Sequence, residues 1–329
     1  MVLMSFKSVG LGKGKSDGKK TILSIIIWGA KIMRWKKGML IYNENAGNDK
    51  LVRNLESCLP IIAPHIDEFL ILQTKEKGDA CRFCLEYGES MDVVFVLGGD
   101  GTVHECVNGL SPLPSRPLFG ILPGGTCNDF SRTLKIPQNV RQAAEALVNG
   151  KVRSIDIGQA NNDYFSNFWG VGLISDASSN IDEQEKSKFG KIGYLLSAVR
   201  TIGENAPFSY KLKYDGNVIE GEAVMILVLN GCFIGTNSLP FPMISPDDGL
   251  FGVAILEKAS LGAFIEIIAM KRSWTKNMIS DSGVTYLQAD TLTIETERPL
   301  DVDMDGENYR QTPARIKVLV QHLPVLTPN

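Results

Sequence analysis

The sequence has no excess of positive charge. Its 34 lysines and arginines stand against 37 aspartates and glutamates, so the formal net charge is −3 and the isoelectric point is near 5.8. A chain that binds nucleic acid carries a basic surface, so this balance argues against nucleic acid as a partner. The chain is 44% hydrophobic and 22% charged, which argues against a disordered chain and a polytopic membrane protein. These properties favour a compact enzyme.

Closely spaced cysteines are also lacking. The six cysteines are scattered along the chain rather than clustered as in a secreted disulfide framework, which favours a reducing cytosol. Cys81 and Cys84 form a lone C-x-x-C pair in a helix-like stretch, and no second pair completes a zinc site. We therefore predict neither a metal site nor a redox role for them.

The N-terminal segment lacks an apolar run long enough to span a bilayer, which needs about 20 residues. A Gly/Lys-rich opening is followed by an apolar run, Thr21–Ala30, and a basic stretch, Lys31–Lys37. We interpret residues 1–38 as a disordered tail, or as an upstream extension from a misplaced start codon with Met39 as the true start. A membrane-adhesive arm is the alternative.

From Met39 onward, short apolar strands alternate with helical segments. This alternation predicts a doubly wound α/β domain, a parallel sheet with helices on both faces. The predicted strands are Met39–Asn43, Glu68–Thr74, Asp92–Leu97 and Leu118–Leu122. The predicted helices are Asp49–Leu59, Asp79–Gly88, Val103–Leu110 and Gln138–Asn149. Ligands bind at the carboxyl edge of such a sheet, so we expect the functional loops to follow the strands.

Beyond Lys151 the sequence becomes strand-rich, with frequent Gly, Asn and Asp. This pattern predicts an antiparallel β-sandwich, interrupted by helices near Gly190–Gly203 and Leu261–Lys271. The predicted division is an α/β domain over 39–153, completed by segment 312–329, and a β-rich domain over 154–311.

The sharpest motif is Gly98-Gly99-Asp100-Gly101-Thr102, between a predicted strand and a predicted helix. Glycines let a backbone approach phosphate closely, and a helix N-terminus offers free N–H groups to an anion. A carboxylate beside phosphate is unfavourable unless a divalent cation or a nucleotide hydroxyl lies between them, so Asp100 predicts a nucleotide with Mg²⁺. The alternative is a plain turn in which Asp or Thr caps the helix.

A second loop of small and polar residues, Pro123–Asp129, follows the next predicted strand. Two such loops at one sheet edge would form a single phosphate-binding crevice. The sequence contains neither G-x-x-x-x-G-K-[ST] nor G-x-G-x-x-G. A Walker nucleotidase and a Rossmann dehydrogenase are therefore not predicted.

Five motifs in order resemble the diacylglycerol kinase catalytic-domain family, in particular its soluble bacterial lipid kinases. They are Asn43-x-x-Ala46-Gly47, Gly98–Thr102, Pro123–Asp129, Asp247-Asp248-Gly249-Leu250 and Asp305-Gly306-Glu307. The resemblance runs from about Met39 to the C-terminus. It implies that the β-rich domain binds a lipid and that the γ-phosphoryl group of ATP moves to a hydroxyl of a diacylglycerol-like lipid.

The resemblance also implies roles for individual residues. Glu307 would be the general base, and Asp100 would be essential for placing the nucleotide and its Mg²⁺. A second, structural Mg²⁺ would bind the side chain of Asp248 and the backbone carbonyls of Ser245 and Leu250. The ATP site would comprise Asn43, Thr74, Gly98, Gly99, Asp100, Gly101, Thr102, Val103, His104, Glu105, Gly125, Thr126, Asn128 and Asp129. The expected location is the cytoplasm with peripheral membrane contact. Whether the protein forms a homodimer is left open.

Several alternatives remain at this point. Glu44 stands where the family commonly has proline, and His104 where asparagine is common, so His104 either contacts phosphate or fills space. The Asp305-Gly306 pair is also a good hairpin turn, which would leave Glu307 as a solvated strand residue. The aromatic stretch Tyr164–Trp169 lines a lipid groove or belongs to the core.

The identity of the molecule that accepts the phosphoryl group is also left open. A sphingosine-like lipid or NAD are alternative acceptors, and a catalytically silent nucleotide-binding regulator is a different class of protein. An NAD kinase would show an Asn-Glu pair soon after the glycine motif, and none lies between Thr102 and Asp129.

Overall fold

A computed structural model describes residues 2–5, 34–43, 48–172, 207–239, 241, 244–260 and 283–329. Within these ranges the chain forms two large β-sheets and five α-helices. The predicted helices near residues 190–203 and 261–271, the apolar run at 21–30 and the segment 44–47 lie outside the described residues.

The first half of the chain alternates strands and helices. Its strands are β1 (Val2–Ser5), β2 (Trp35–Asn43), β3 (Ile66–Thr74), β4 (Val93–Gly98) and β5 (Leu118–Pro123). Its helices are α1 (Asn48–Ile62), α2 (Asp79–Tyr87), α3 (Asp100–Leu110), α4 (Asp129–Thr133) and α5 (Val140–Val148). Every residue of β4 is buried, as expected for a continuous apolar run in the centre of a parallel sheet.

Strands β3, β2, β4 and β5 pair in parallel in that order. Helix α1 packs with α5, and α2 packs with α3. The carboxyl ends of the four strands therefore share one edge, where the loops after β4 and β5 lie side by side. The predicted doubly wound domain is confirmed.

The N-terminal prediction needs a correction. Strand β2 begins at Trp35, four residues before Met39, and the Trp35 side chain is buried against Phe95 with ring centroids 5.7 Å apart. Residues 2–5, which we expected to lie in a disordered tail, form β1 antiparallel to β3. Helix α3 also begins earlier than predicted, at Asp100 instead of Val103, because the glycine motif itself forms the first helical turn.

The second half consists mainly of antiparallel strands. They are β6 (Lys151–Ala160), β7 (Asp163–Phe165), β8 (Phe168–Val171), β9 (Phe208–Tyr214), β10 (Asn217–Ala223), β11 (Met225–Leu229), β12 (Phe233–Ile234), β13 (Asn237–Ser238), β14 (Phe251–Leu256), β15 (Val284–Ala289), β16 (Thr291–Thr296), β17 (Asp301–Met304), β18 (Glu307–Gln311) and β19 (Ala314–Thr327). One sheet has the order β15-β14-β11-β8-β17-β18. Its apolar face shares a core with β9, β16 and β19 of the first sheet, so the predicted β-sandwich is confirmed.

Strand β19 joins the two halves. It pairs in parallel with β5 and in antiparallel fashion with β6 and β16. The C-terminal segment thus continues the sheet of the α/β half into the sandwich, and the boundary predicted at 153/154 falls inside β6. In the described part of the chain, no helix is both long and apolar enough to cross a membrane.

Candidate active site

The glycine motif lies at the junction of β4 and α3. Gly99 precedes the helix in an extended conformation, and the N–H of Val103 donates to the Gly99 carbonyl as the first helical hydrogen bond. The N–H groups of the first helical turn have no carbonyl partner within the helix. They and the helix dipole favour an anion at this position.

The second polar loop lies directly against this motif. The N–H of Gly124 donates to the Gly98 carbonyl at 2.8 Å. A Cβ atom on Gly125 would lie 2.5 Å from the Cα of Gly99, so a larger residue would push the two backbones apart. The side chain of Asn128 accepts from the Gly125 N–H at 2.9 Å and closes the loop on itself. Thr126, at its tip, is exposed.

Asp100 ties the two loops together. Its carboxylate accepts the backbone N–H groups of Asn128 and Asp129, at 2.8 and 2.7 Å, and so caps the N-terminus of α4. Burial, and then the nearby charge of Asp129, raise the pKa of Asp100 to about 6, although the two N–H donors oppose the shift. The carboxylate is therefore held where its negative charge is costly.

Asp129 is a second buried carboxylate beside Asp100. It accepts the N–H groups of Gly235 and Thr236, at 2.7 and 2.8 Å, in the turn of the β12–β13 hairpin. Burial raises the pKa of Asp129 above its ordinary value, and these donors only partly offset it. The candidate ligand atoms of Asp100, Cys127 and Asp129 lie within 4.8 Å of one another.

These two carboxylates fit a hard divalent cation. Carboxylate oxygens suit Mg²⁺, whereas the Cys127 thiol does not. The raised pKa values of both aspartates mean that a nearby positive charge would relieve an unfavourable concentration of negative charge. Asp100 and Asp129 are thus the residues of this edge that can hold Mg²⁺.

Glu307 reaches the glycine motif from the other half of the chain. It follows a two-residue turn between β17 and β18, in which Asp305 and Gly306 have φ of 54° and 89°. A Cβ atom on Gly101 would lie 2.9 Å from Oε1 of Glu307, so the carboxylate covers the start of α3. The Nζ atom of Lys77 lies 2.7 Å from its other oxygen. The side chain is only 14% exposed, so it is not a solvated strand residue.

Some predicted ATP-site side chains are engaged by protein instead. Glu105 accepts the N–H groups of Gly78 and Ala80, at 2.9 and 3.2 Å, and so holds the start of α2. The His104 ring is buried at 3% exposure, with Nδ1 against Asp305. Of the two alternatives left open for His104, a contact with phosphate or a space-filling role, this burial favours the second.

Other predicted residues tether the strand ends around the crevice. Asn43, at the end of β2, donates to the hydroxyl of Thr102 at 3.4 Å. The Thr74 hydroxyl, at the end of β3, is buried and donates to the carbonyl of Tyr42 at 3.4 Å. Val103 is buried in the core of the α/β half. The side chains of Thr74 and Val103 therefore serve packing.

Two features of this site were not predicted. Lys77 lies in the loop after β3, and a basic residue at the carboxyl edge of a strand is a usable signal for it. Asp305 is buried and accepts several hydrogen bonds, beyond its place in the Asp-Gly-Glu motif. Nothing local in the sequence indicates its partners, because they lie in α3 and in the segment that joins β7 to β8.

The segment Asp247–Leu250 forms a second carboxylate cluster. Asp247 accepts from the Ser245 hydroxyl at 2.6 Å and pairs with Arg153. Asp248 accepts the Leu250 N–H at 3.0 Å, and burial, Asp156 and Asp247 raise its pKa. Three carboxylates with one arginine leave net negative charge, which fits a cation.

The aromatic stretch Tyr164–Trp169 belongs to the core. Phe165, Phe168 and Trp169 are each at most 1% exposed. The rings of Phe165 and Phe251 stack with centroids 5.4 Å apart. The lipid-groove interpretation is therefore wrong for these three residues.

Comparison with known proteins identifies the family. Residues 37–160 match the model of the diacylglycerol kinase catalytic domain, and residues 170–327 match that of the YegS C-terminal NAD kinase beta sandwich-like domain. The chain is 33% identical over 301 residues to a protein of Staphylococcus aureus strain Newman named "Putative lipid kinase", covering 90% of this chain and 98% of the relative. The same figures hold for the relative from strain Mu3.

A solved structure gives the same result. The crystal structure of a "putative diacylglycerol kinase" from Bacillus anthracis str. Sterne is 41% identical, with a TM-score of 0.84, and the match covers 90% of this chain and 96% of that one. The chain belongs to the family of lipid kinases built on a diacylglycerol kinase catalytic domain. The resemblance noted from the motifs is confirmed, and membership implies ATP and a lipid as substrates.

Proposed function

We propose that this protein transfers the γ-phosphoryl group of ATP to the free hydroxyl of a diacylglycerol, in the presence of Mg²⁺, and forms phosphatidic acid. The observation that carries the proposal is the carboxylate of Glu307 lying over Gly101, at the start of the helix whose N-terminus suits a phosphate. Phosphoryl transfer needs positioning, charge neutralisation and a carboxylate near the attacking hydroxyl, and this edge supports all three.

The phosphates of ATP would bind the backbone of the two touching loops. The first turn of α3 would offer N–H groups to the phosphates, and the loop at Gly124 and Gly125 lies directly against that turn. Asp100 would act by keeping these loops in register, since it bridges α3 and α4. Loss of that bridge would separate the donors that must act together on one phosphate chain.

Glu307 would accept the proton of the lipid hydroxyl. The lipid oxygen forms a bond to the γ-phosphorus while the bond from that phosphorus to the bridging oxygen of ADP breaks. The proton moves to a carboxylate oxygen of Glu307, and the electron pair of the broken bond stays on ADP. Lys77, whose Nζ lies 2.7 Å from the carboxylate, holds Glu307 through a charge-assisted hydrogen bond.

Mg²⁺ would be held by Asp100 and Asp129, where it would neutralise charge on the phosphates. A second, structural Mg²⁺ would be held by Asp248 with the backbone carbonyls of Ser245 and Leu250. Support for both comes from carboxylates that lie close together, which contributes to the raised pKa values of Asp100 and Asp248. The soft Cys127 thiol makes no contribution to either.

Access to the lipid would occur by peripheral contact with a membrane. Leu250 is 37% exposed and Val320 is 60% exposed. They are close in space, because a Cβ atom on Gly249 would lie 3.6 Å from Val320. Apolar side chains at a surface loop are suited to shallow contact with a bilayer. We expect co-sedimentation with anionic lipid vesicles, and it should weaken in a Leu250→Ser and Val320→Ser double variant.

The deciding assay is ATP-dependent phosphorylation of dioleoylglycerol in mixed micelles with Mg²⁺. Wild type and the control Glu222→Gln, which removes an exposed carboxylate, should form phosphatidic acid at equal rates. Glu307→Gln should lose roughly 10²-fold or more, as expected for removal of a general base. ATP consumption with sphingosine or NAD but not with dioleoylglycerol would contradict the proposal that diacylglycerol is the acceptor. ATP binding without turnover on any acceptor would indicate a silent regulator.

A further inference from the structure

The carboxylate of Asp305 is the most heavily hydrogen-bonded side chain near the proposed base. One oxygen accepts the N–H groups of Asn167 and Phe168, at 2.8 and 2.9 Å. The other accepts the N–H and hydroxyl of Ser166, at 2.8 and 3.1 Å, and lies 3.1 Å from Nδ1 of His104. The side chain is 4% exposed, so these contacts fix its position without competition from water.

His104 supplies a donor from a different part of the molecule. Ser166 and Asn167 form the turn between β7 and β8, and Phe168 is the first residue of β8, all in the same half of the chain as Asp305. His104 belongs to α3 and follows Asp100 by four residues. Its bond to Asp305 therefore joins the helix of the glycine motif to the hairpin that carries Glu307.

The partners of the His104 ring define how it is protonated. Nδ1 faces the carboxylate of Asp305, and Nε2 lies 3.2 Å from the amide nitrogen of Asn108. A proton on Nδ1 satisfies both contacts, because Nδ1–H then donates to the carboxylate and Nε2 accepts from the amide. Asn108 is itself fixed by hydrogen bonds to both backbone groups of Tyr164.

Asp305 in turn fixes Glu307 through a short, rigid turn. The two residues are separated only by Gly306, and Met304 pairs with Glu307 across the hairpin. The N–H of Gly306 is also held, at 2.7 Å, by the carboxylate of Asp303. A displacement of Asp305 relative to α3 is therefore carried to the Glu307 carboxylate.

We propose that His104 is a positioning residue for the reaction: its Nδ1–H holds Asp305 and thereby aligns the Glu307 carboxylate with the glycine motif. This inference rests on the proposed function, because it gives Glu307 the role of base. It assigns His104 no contact with ATP or lipid.

The inference can be tested with substitutions of His104 that keep a donor nitrogen at the position of Nδ1 or shift it to that of Nε2. The amide nitrogen of asparagine corresponds to Nδ1 of histidine, and that of glutamine corresponds to Nε2. His104→Asn should therefore keep the bond to Asp305 and retain kcat within about threefold of wild type. His104→Gln and His104→Leu should lose roughly tenfold or more in kcat, because displacing a catalytic group by about 1 Å costs up to 10²-fold. The KM for ATP should change less than about twofold in all three.

A comparison of double variants separates positioning from general damage. The control His65→Leu removes a histidine that precedes β3, at the opposite edge of the sheet, and should keep full kcat. In a Glu307→Gln background, His104→Leu should cause no further loss of the residual rate, because it acts through Glu307. An additive loss, or equal losses in the asparagine and glutamine variants, would overturn the inference. Full activity of Glu307→Gln alone would instead overturn the proposed base.

Discussion

Replacing Asp100 by asparagine removes a charge that the folded protein holds in an unfavourable place. The pKa of Asp100 is raised from 3.8 to about 6, mainly by burial and next by the charge of Asp129. The folded state therefore binds a proton at Asp100 more tightly than the unfolded state does. The resulting stabilisation is fully present below about pH 4 and is lost as the pH rises through about 6.

The size of the effect follows from the two pKa values. At 1.36 kcal/mol per pH unit, a rise from 3.8 to about 6 corresponds to about 3 kcal/mol of unfolding free energy. Asparagine does not titrate, so the variant lacks this dependence. The substitution also impairs one of the two backbone hydrogen bonds to Asp100, at a cost of about 1–3 kcal/mol that does not vary with pH. The quantity to follow is therefore the difference in unfolding free energy between the variant and wild type as the pH changes.

Urea unfolding followed by the fluorescence of the four tryptophans provides the assay. Measurements at pH 4, 5, 6 and 7 in EDTA should show the unfolding free energy of the variant rising by about 2 kcal/mol relative to wild type between pH 4 and 7. This is less than the full effect because Asp100 in the unfolded chain is already partly ionised at pH 4. Asp215→Asn, which alters an exposed turn residue, serves as the control and should show a nearly constant difference. A constant difference in unfolding free energy between wild type and the Asp100 variant from pH 4 to 7 would contradict the raised pKa of Asp100.

Three further outcomes are expected. Gly101→Ala should lower kcat by roughly tenfold or more without changing the circular dichroism spectrum, since its Cβ would lie 2.9 Å from Glu307. The control Gly221→Ala, on an exposed strand, should keep the wild-type kcat. Mg²⁺ at about 100 times its Kd should raise the unfolding free energy of wild type at pH 7 by about 2.7 kcal/mol. Mg²⁺ should raise the unfolding free energy of the Asp100→Asn variant much less. Equal increases in the two proteins would exclude Asp100 as a Mg²⁺ ligand. Asp129→Ala should accelerate hydrogen exchange in the β12–β13 turn, whose N–H groups it accepts, and unchanged exchange there would contradict the assignment.

The alternation of strands and helices, and the sheet edge that carries the candidate site, could be predicted from the amino-acid sequence alone. Both follow from short-range rules. A continuous apolar run such as β4 forms a buried strand, and glycine with polar residues at its carboxyl end forms a loop beside a helix N-terminus. The start of β2 was predicted imprecisely, because Trp35 joins the strand by packing against the distant Phe95.

Which side chains meet at that edge depends on contacts between distant parts of the chain. The peptides Asp215-Gly216 and Asp305-Gly306 form the same kind of turn, with φ of 47° and 77° in one and 54° and 89° in the other. One is an exposed hairpin tip, whereas the other presents Glu307 to Gly101 and to Lys77, 230 positions earlier in the chain. Local propensity sets the shape of a turn, but the burial of two distant apolar surfaces against each other decides what the turn contacts.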